Sequence, residues 1–182
     1  MNSKSSALLI VDMINPFSFK HGEQLFEQAE QIAGNILHLK QHMKEQGVPV
    51  LYVNDNYGKW QSDFLNLVDE IKESNAIGAP IAEMLRPEPT DYSVLKPKYS
   101  GFFDTPLHLL LEHLEIDTLF LTGIVGNMCI HFTANDAYTL EYKLCIPSDA
   151  VASFSEQDNQ VAMHHFEHIL KADVSSTQKW IN

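Results

Sequence analysis

With 182 residues, 45% hydrophobic and 20% charged, the chain has the size and balance of one soluble domain over residues 1–182, needing no disulfide or metal staple. Twelve Lys and Arg against 24 Asp and Glu give a net charge of -12 with His neutral. That excess repels phosphate backbones and, with no basic patch in the sequence, excludes a nucleic-acid partner.

Two cysteines, Cys129 and Cys145, are too few for a disulfide framework. The first residues lack the apolar core and small-residue cleavage site of a signal peptide, and no apolar run approaches the roughly 20 residues that span a bilayer. A cytoplasmic protein with no membrane partner is expected.

In chain order, residues 7–11 (ALLIV) form a continuous apolar run suited to a parallel strand covered on both faces, and the run ends at Asp12. A loop containing Asn15, Pro16 and Phe17 closes at Gly22. Helical spacing of apolar residues over 23–46, stopped by Gly47, predicts a long helix. Residues 49–53 (PVLYV) give a second strand, followed by a polar turn through Asn54, Asp55, Asn56, Tyr57 and Gly58. A weaker helical pattern covers 62–73, and 77–89 reads as irregular because of Pro80, Pro87 and Pro89.

A strand at 92–95 runs into Lys96 and an aromatic loop with Tyr99, Phe102 and Phe103. Thr105 is placed to cap a helix with Pro106 at its first position. The apolar run at 118–122 then passes through Gly123 and Gly126 into a helical pattern from about Asn127. Strands at 142–146 and, briefly, 172–174 flank a last helix over 156–171. Six strands alternating with helices imply a three-layer α-β-α sandwich with a mainly parallel six-stranded sheet.

In such a sheet, sites form beyond the carboxyl ends of the strands. Asp12, Lys96 and Cys129 all follow strand ends and so gather on one rim. A cysteine in a first helical turn meets unpaired N–H groups and the positive end of the helix dipole, which favour the thiolate. Asp12 can take its proton, Lys96 can hold the thiolate by charge, and the loop before Cys129 can offer N–H groups to an oxyanion. Taken singly, each has a plainer reading: a core cysteine, a turn aspartate and a solvated lysine beside Lys98. His164, His165 and His168 read as a solvated helix face rather than a metal site.

Three blocks, ALLIVDMINPF at 7–17, VLKPKYSGFFDTPLHLLL at 94–111 and LFLTGIVGNMCIHFTANDAYTLEYKLCIPSDAVAS at 119–153, carry a resemblance. Together they resemble the isochorismatase-like cysteine hydrolases, a Rossmann-like superfamily that includes nicotinamidases, ureidoacrylate and N-carbamoylsarcosine amidohydrolases, and isochorismatases. The resemblance implies Asp12 as general base, Lys96 as catalytic lysine with Lys98 second, and Cys129 as nucleophile. It also implies a cis peptide between Ile124 and Val125, with the N–H groups of Val125 and Cys129 as the oxyanion hole.

The implied activity is metal-independent hydrolysis of a C–N bond in a small amide, ureide or carbamoyl compound through a thioester. No cofactor is expected. Nicotinamidases bind a metal through an Asp-x-His pair after the second strand, but here that stretch is Asp55, Asn56, Tyr57, which argues against a metal. Phe17 and Tyr99 are the expected substrate-binding aromatics, and a dimer or tetramer is the expected assembly. The rival readings are a vinyl ether hydrolase of the isochorismatase type and an inactive ligand-binding or assembly protein.

Overall fold

The structure is a computed structural model and describes residues 5–60 and 63–181. Strand β1 (Ser6–Val11) is buried along its whole length, as its unbroken apolar run requires. It lies at the centre of a parallel sheet with β2 (Val50–Asp55) on one side and β4 (Thr118–Ile124) on the other. Strand β3 (Tyr92–Lys96) pairs with β2, and both β5 (Lys143–Cys145) and β6 (Val151–Ala152) pair with β4. The order β3-β2-β1-β4-β5 reverses direction between β1 and β4. A doubly wound sheet opens its crevice there, at the carboxyl ends of the strands.

Alternation along β1 separates two cores. Leu8 and Ile10 face helices α1 (Gly22–Glu45), α2 (Phe64–Glu73), α3 (Ala79–Met84) and α7 (Gln178–Ile181). Ala7, Leu9 and Val11 face α4 (Leu107–His113), α5 (His131–Thr139) and α6 (Glu156–His168). The three-layer sandwich with a mainly parallel six-stranded sheet is therefore present.

Local signals set the ends of the helices. Helix α1 stops at Gln46 because Gly47 takes φ 73°, letting its N–H reach the Lys44 carbonyl at 2.9 Å and the Val48 N–H reach that of Met43 at 2.9 Å. This double closure satisfies carbonyls that the helix end would leave bare. Thr105 accepts the Leu107 N–H at 3.2 Å, so α4 starts one residue later than expected.

Three elements depart from expectation. Helix α3 forms within the proline-rich stretch read as irregular, with Pro80 in its first turn, where a missing N–H costs nothing. Residues 172–174 make only an isolated bridge, Cys145 to Asp173, and the sixth strand is β6 instead. Helix α7 docks through Trp180, whose ring meets Phe120 edge-on at 5.3 Å.

At the opposite, amino end of the sheet, Lys40 is 2% exposed and binds Asp91 at 2.9 Å, with the Tyr52 hydroxyl at 3.0 Å and the Arg86 carbonyl at 3.1 Å. This cluster pins the chain entering β3 to α1. No helix among the described residues is long and apolar enough to cross a membrane.

Candidate active site

Asp12 follows β1 directly, in the left-handed region at φ 53°, while its N–H still pairs with the Val53 carbonyl at 3.1 Å. The chain therefore turns its carboxylate over the end of the sheet without leaving β2. One oxygen accepts the Asp55 N–H at 2.7 Å and the other meets the Lys96 ammonium at 2.8 Å. Lys96 is the last residue of β3, opposite Asp55 in register, and is fully buried. Its ammonium also lies 3.5 Å from Cys129 Sγ. Lys98 is exposed. Asp12, Lys96 and Cys129 thus come from three strand ends to one buried point.

Cys129 sits in a wide turn, Gly126–Ile130, whose N–H groups reach back across five residues. The Val125 carbonyl accepts both Met128 N–H at 2.9 Å and Ile130 N–H at 3.1 Å, and the Ile124–Val125 peptide is cis. Two glycines make this path possible. Gly123 has φ 110°, and a Cβ there would lie 2.1 Å from the Val11 carbonyl oxygen. A Cβ on Gly126 would lie 2.6 Å from both Asn159 Oδ1 and Ser153 Oγ. Ser153 in turn accepts the Asn127 N–H at 3.3 Å, and Asn159 donates to the Val151 carbonyl at 3.0 Å. The turn is braced from β6 and α6, a role sequence reasoning missed.

Charge and burial set the proton positions. Burial pushes the Asp12 carboxyl above the usual carboxylate range, against the pull of Lys96. Burial, and then the Asp12 carboxylate, push the Cys129 thiol up to about 12. The expected helix-start thiolate is therefore corrected: in the resting protein, burial first and the Asp12 carboxylate second outweigh the pull of Lys96. Burial pulls the Lys96 ammonium down, but Asp12 and Cys129 hold it above its ordinary value. Carboxylate and thiol consequently compete for one proton beside a permanent cation.

The remaining expected residues lie in different surroundings. The Phe17 ring is 3% exposed and packs edge-on against Phe26 at 5.6 Å, so it presents little surface to a ligand. Tyr99 is 50% exposed and stacks on Phe132 at 5.3 Å. His131 leans on His165, with ring centres 4.4 Å apart, and His164 and His168 stack at the surface.

The Asp55-to-Tyr57 turn does not fit a nicotinamidase-type metal. Asp55 Oδ1 accepts the Tyr57 N–H at 2.6 Å, and the Tyr57 hydroxyl donates to the Ile14 carbonyl at 3.1 Å. Burial, with Asp12 and Asp55 nearby, holds that phenol well above its ordinary pKa, so it stays protonated and is a poor ligand. Among the described residues, no three His, Cys, Asp or Glu side chains converge to hold an ion.

A doubly wound parallel sheet with a buried carboxylate and ammonium beside a partly buried thiol at the carboxyl ends of its strands defines a Rossmann-like α/β protein. Comparison with known proteins makes the assignment more specific. Residues 6–179 match the isochorismatase domain family model. The chain is 42% identical over 181 residues to the isochorismatase family protein YaaI of Bacillus subtilis (strain 168), covering 100% of this chain and 99% of that one.

Among solved structures, a cysteine hydrolase from Pseudomonas syringae pv. phaseolicola 1448A superposes with TM-score 0.80 at 26% identity, covering 100% of this chain and 92% of that one. N-carbamoylsarcosine amidase from Thermoplasma acidophilum superposes with TM-score 0.73 at 26% identity, covering 95% and 96%. The chain belongs to the isochorismatase family and is a hydrolase of that family.

Proposed function

We propose that the chain is a metal-independent cysteine hydrolase that cleaves the C–N bond of a small amide, ureide or carbamoyl compound. The observation that carries this reading is the buried Lys96 ammonium, 2.8 Å from the Asp12 carboxylate and 3.5 Å from Cys129 Sγ. A base, a cation and a nucleophile in mutual contact have little structural purpose, since a buried ion pair is a weak source of stability. Relatives named for amide substrates, such as N-carbamoylsarcosine amidase, support the substrate class.

In the reaction, Cys129 Sγ attacks the carbonyl carbon as its proton passes to Asp12, whose raised pKa makes it a competent base. Lys96 holds the developing thiolate. The tetrahedral oxyanion is received by the backbone N–H groups of Val125 and Cys129. Asp12 then gives its proton to the leaving nitrogen, the C–N bond breaks, and a Cys129 thioester remains. Water adds to the thioester with its proton going to Asp12, the C–S bond breaks, and that proton returns to the sulfur. The products are an acid and an amine or ammonia. Vinyl ether cleavage needs protonation of carbon and gives Cys129 no part.

The test is intact-protein mass spectrometry with parallel ammonia release across a panel of small amides, ureides and carbamoyl compounds. An acyl adduct on the wild type, absent from Cys129→Ala, with turnover lost in Asp12→Asn and Lys96→Ala, is expected. Turnover that survives Cys129→Ala would overturn the thioester route.

A further inference from the structure

Asp55 lies at the reacting centre without a part in the proton transfers described. Its Oδ2 is 3.9 Å from the Lys96 ammonium, which itself lies 3.5 Å from Cys129 Sγ. The nucleophile and this carboxylate oxygen therefore flank one cation. The Asp55 side chain is 39% exposed, against 8% for Asp12 and 0% for Lys96. It is thus the open face of an otherwise closed charge cluster. Its other oxygen is already committed to the Tyr57 N–H, which fixes the orientation of the carboxylate.

We propose that Asp55 is a specificity-determining residue whose free oxygen accepts an N–H from the carbamoyl or primary amide nitrogen of the substrate. This rests on the hydrolase reading above. At 3.9 Å the Lys96 contact is too long for a hydrogen bond, so Oδ2 keeps acceptor capacity for a ligand. With Asp12 ionised, two carboxylates and one ammonium leave the centre with a net negative charge. A neutral N–H donor is therefore welcome there, and a carboxylate carried next to the scissile bond is repelled. Asp55 is partly open to water, so its preference for an N–H donor rests on one charge-assisted hydrogen bond and on the charge of the cluster rather than on leaving a buried group unpaired.

Asp55→Asn tests this while keeping the Tyr57 cap, because its amide oxygen can replace Oδ1. Its NH2 then stands where the acceptor stood, facing the ammonium and the substrate as a donor. The probes are a small N-carbamoyl compound with a free NH2, its N,N-dimethyl counterpart and the matching ester without nitrogen, assayed with wild type, Asp55→Asn and Asp55→Ala. The ratio of kcat/KM for the NH2 probe to that for the ester is expected to fall by about 10- to 100-fold in both variants, mostly through KM. An equal loss on all three probes, or an unchanged ratio, would overturn the role of Asp55 while a Cys129 adduct on wild type leaves the hydrolase reading intact. No Cys129 adduct from any probe would overturn both.

Discussion

The backbone N–H of Asp55 donates to the Asp12 carboxylate at 2.7 Å, so the group that must carry a proton is held by the neighbouring strand rather than by its own loop. A main-chain donor cannot swing away, and the carboxylate keeps its face toward Lys96 and Cys129 throughout the cycle. Protonated Asp12 cannot receive the thiol proton, so activity requires its ionised form. Because burial raises the Asp12 pKa, kcat/KM is expected to rise with pH through a value above the ordinary carboxylate range. With Cys129 at about 12 and Lys96 raised, no loss should follow up to about pH 10. A pH–rate profile with an acid limb at an unshifted carboxylate value would contradict this assignment.

Burial and the Asp12 carboxylate together suppress the resting thiolate, which gives an unusual signature. At pH 8, wild-type Cys129 should react with iodoacetamide more than about 100-fold slower than an exposed thiol, whose pKa is about 8.5. Asp12→Asn removes the carboxylate and leaves burial and Lys96, so alkylation should accelerate even as turnover disappears. The rates can be followed by mass spectrometry in a Cys145→Ser background. Slower labelling in Asp12→Asn would refute the electrostatic account. A sluggish thiol is therefore no sign of an inactive protein here.

Gly123 stands where β4 passes β1. An alanine there must hold φ 110° with its methyl 2.1 Å from the Val11 carbonyl oxygen. Gly123→Ala should lose about 3 kcal/mol of stability through overpacking and backbone strain, measured by urea unfolding. Activity should fall further than stability, since the displaced strand leads directly to the turn carrying Cys129.

The Lys40–Asp91 pair gives the complementary case. Asp91→Asn leaves a lysine that is 2% exposed with only the more distant and solvent-exposed Glu88, at 3.5 Å, as counter-charge, and weakening a buried pair in this way costs about 2 to 3 kcal/mol. The pair lies at the amino end of the sheet, so kcat/KM at a temperature where the variant stays folded should match wild type. Urea denaturation read beside the assay separates the two effects.

Much of this was legible in the sequence. Unbroken apolar runs marked β1, β2 and β4, and three chemically useful residues at strand ends marked the rim. What escaped depends on contacts between distant segments. Helix α7 is too short to show periodicity and exists because Trp180 finds Phe120. Strand β6 has two residues, stabilised by pairing with Gly123 and Ile124. The resting charge of Cys129 could not be read from its place in a turn, since it is set by burial in the folded chain and by Asp12, over a hundred residues away. In the sequence Asp55 reads only as part of the polar turn after a strand ending at Val53; β2 in fact runs on to Asp55, which sets it opposite Lys96.

The burial of Cys129 makes the chain its own unfolding reporter. Sulfur, ammonium and carboxylate meet only while β1, β3 and β4 keep their register, and none of these contacts is local in sequence. Once β4 parts from β1, the thiol returns to water, its pKa falls from about 12 toward about 8.5, and it becomes easier to alkylate. In a Cys145→Ser background, labelling of Cys129 beyond the slow rate of the folded protein thus reports openings of the central sheet.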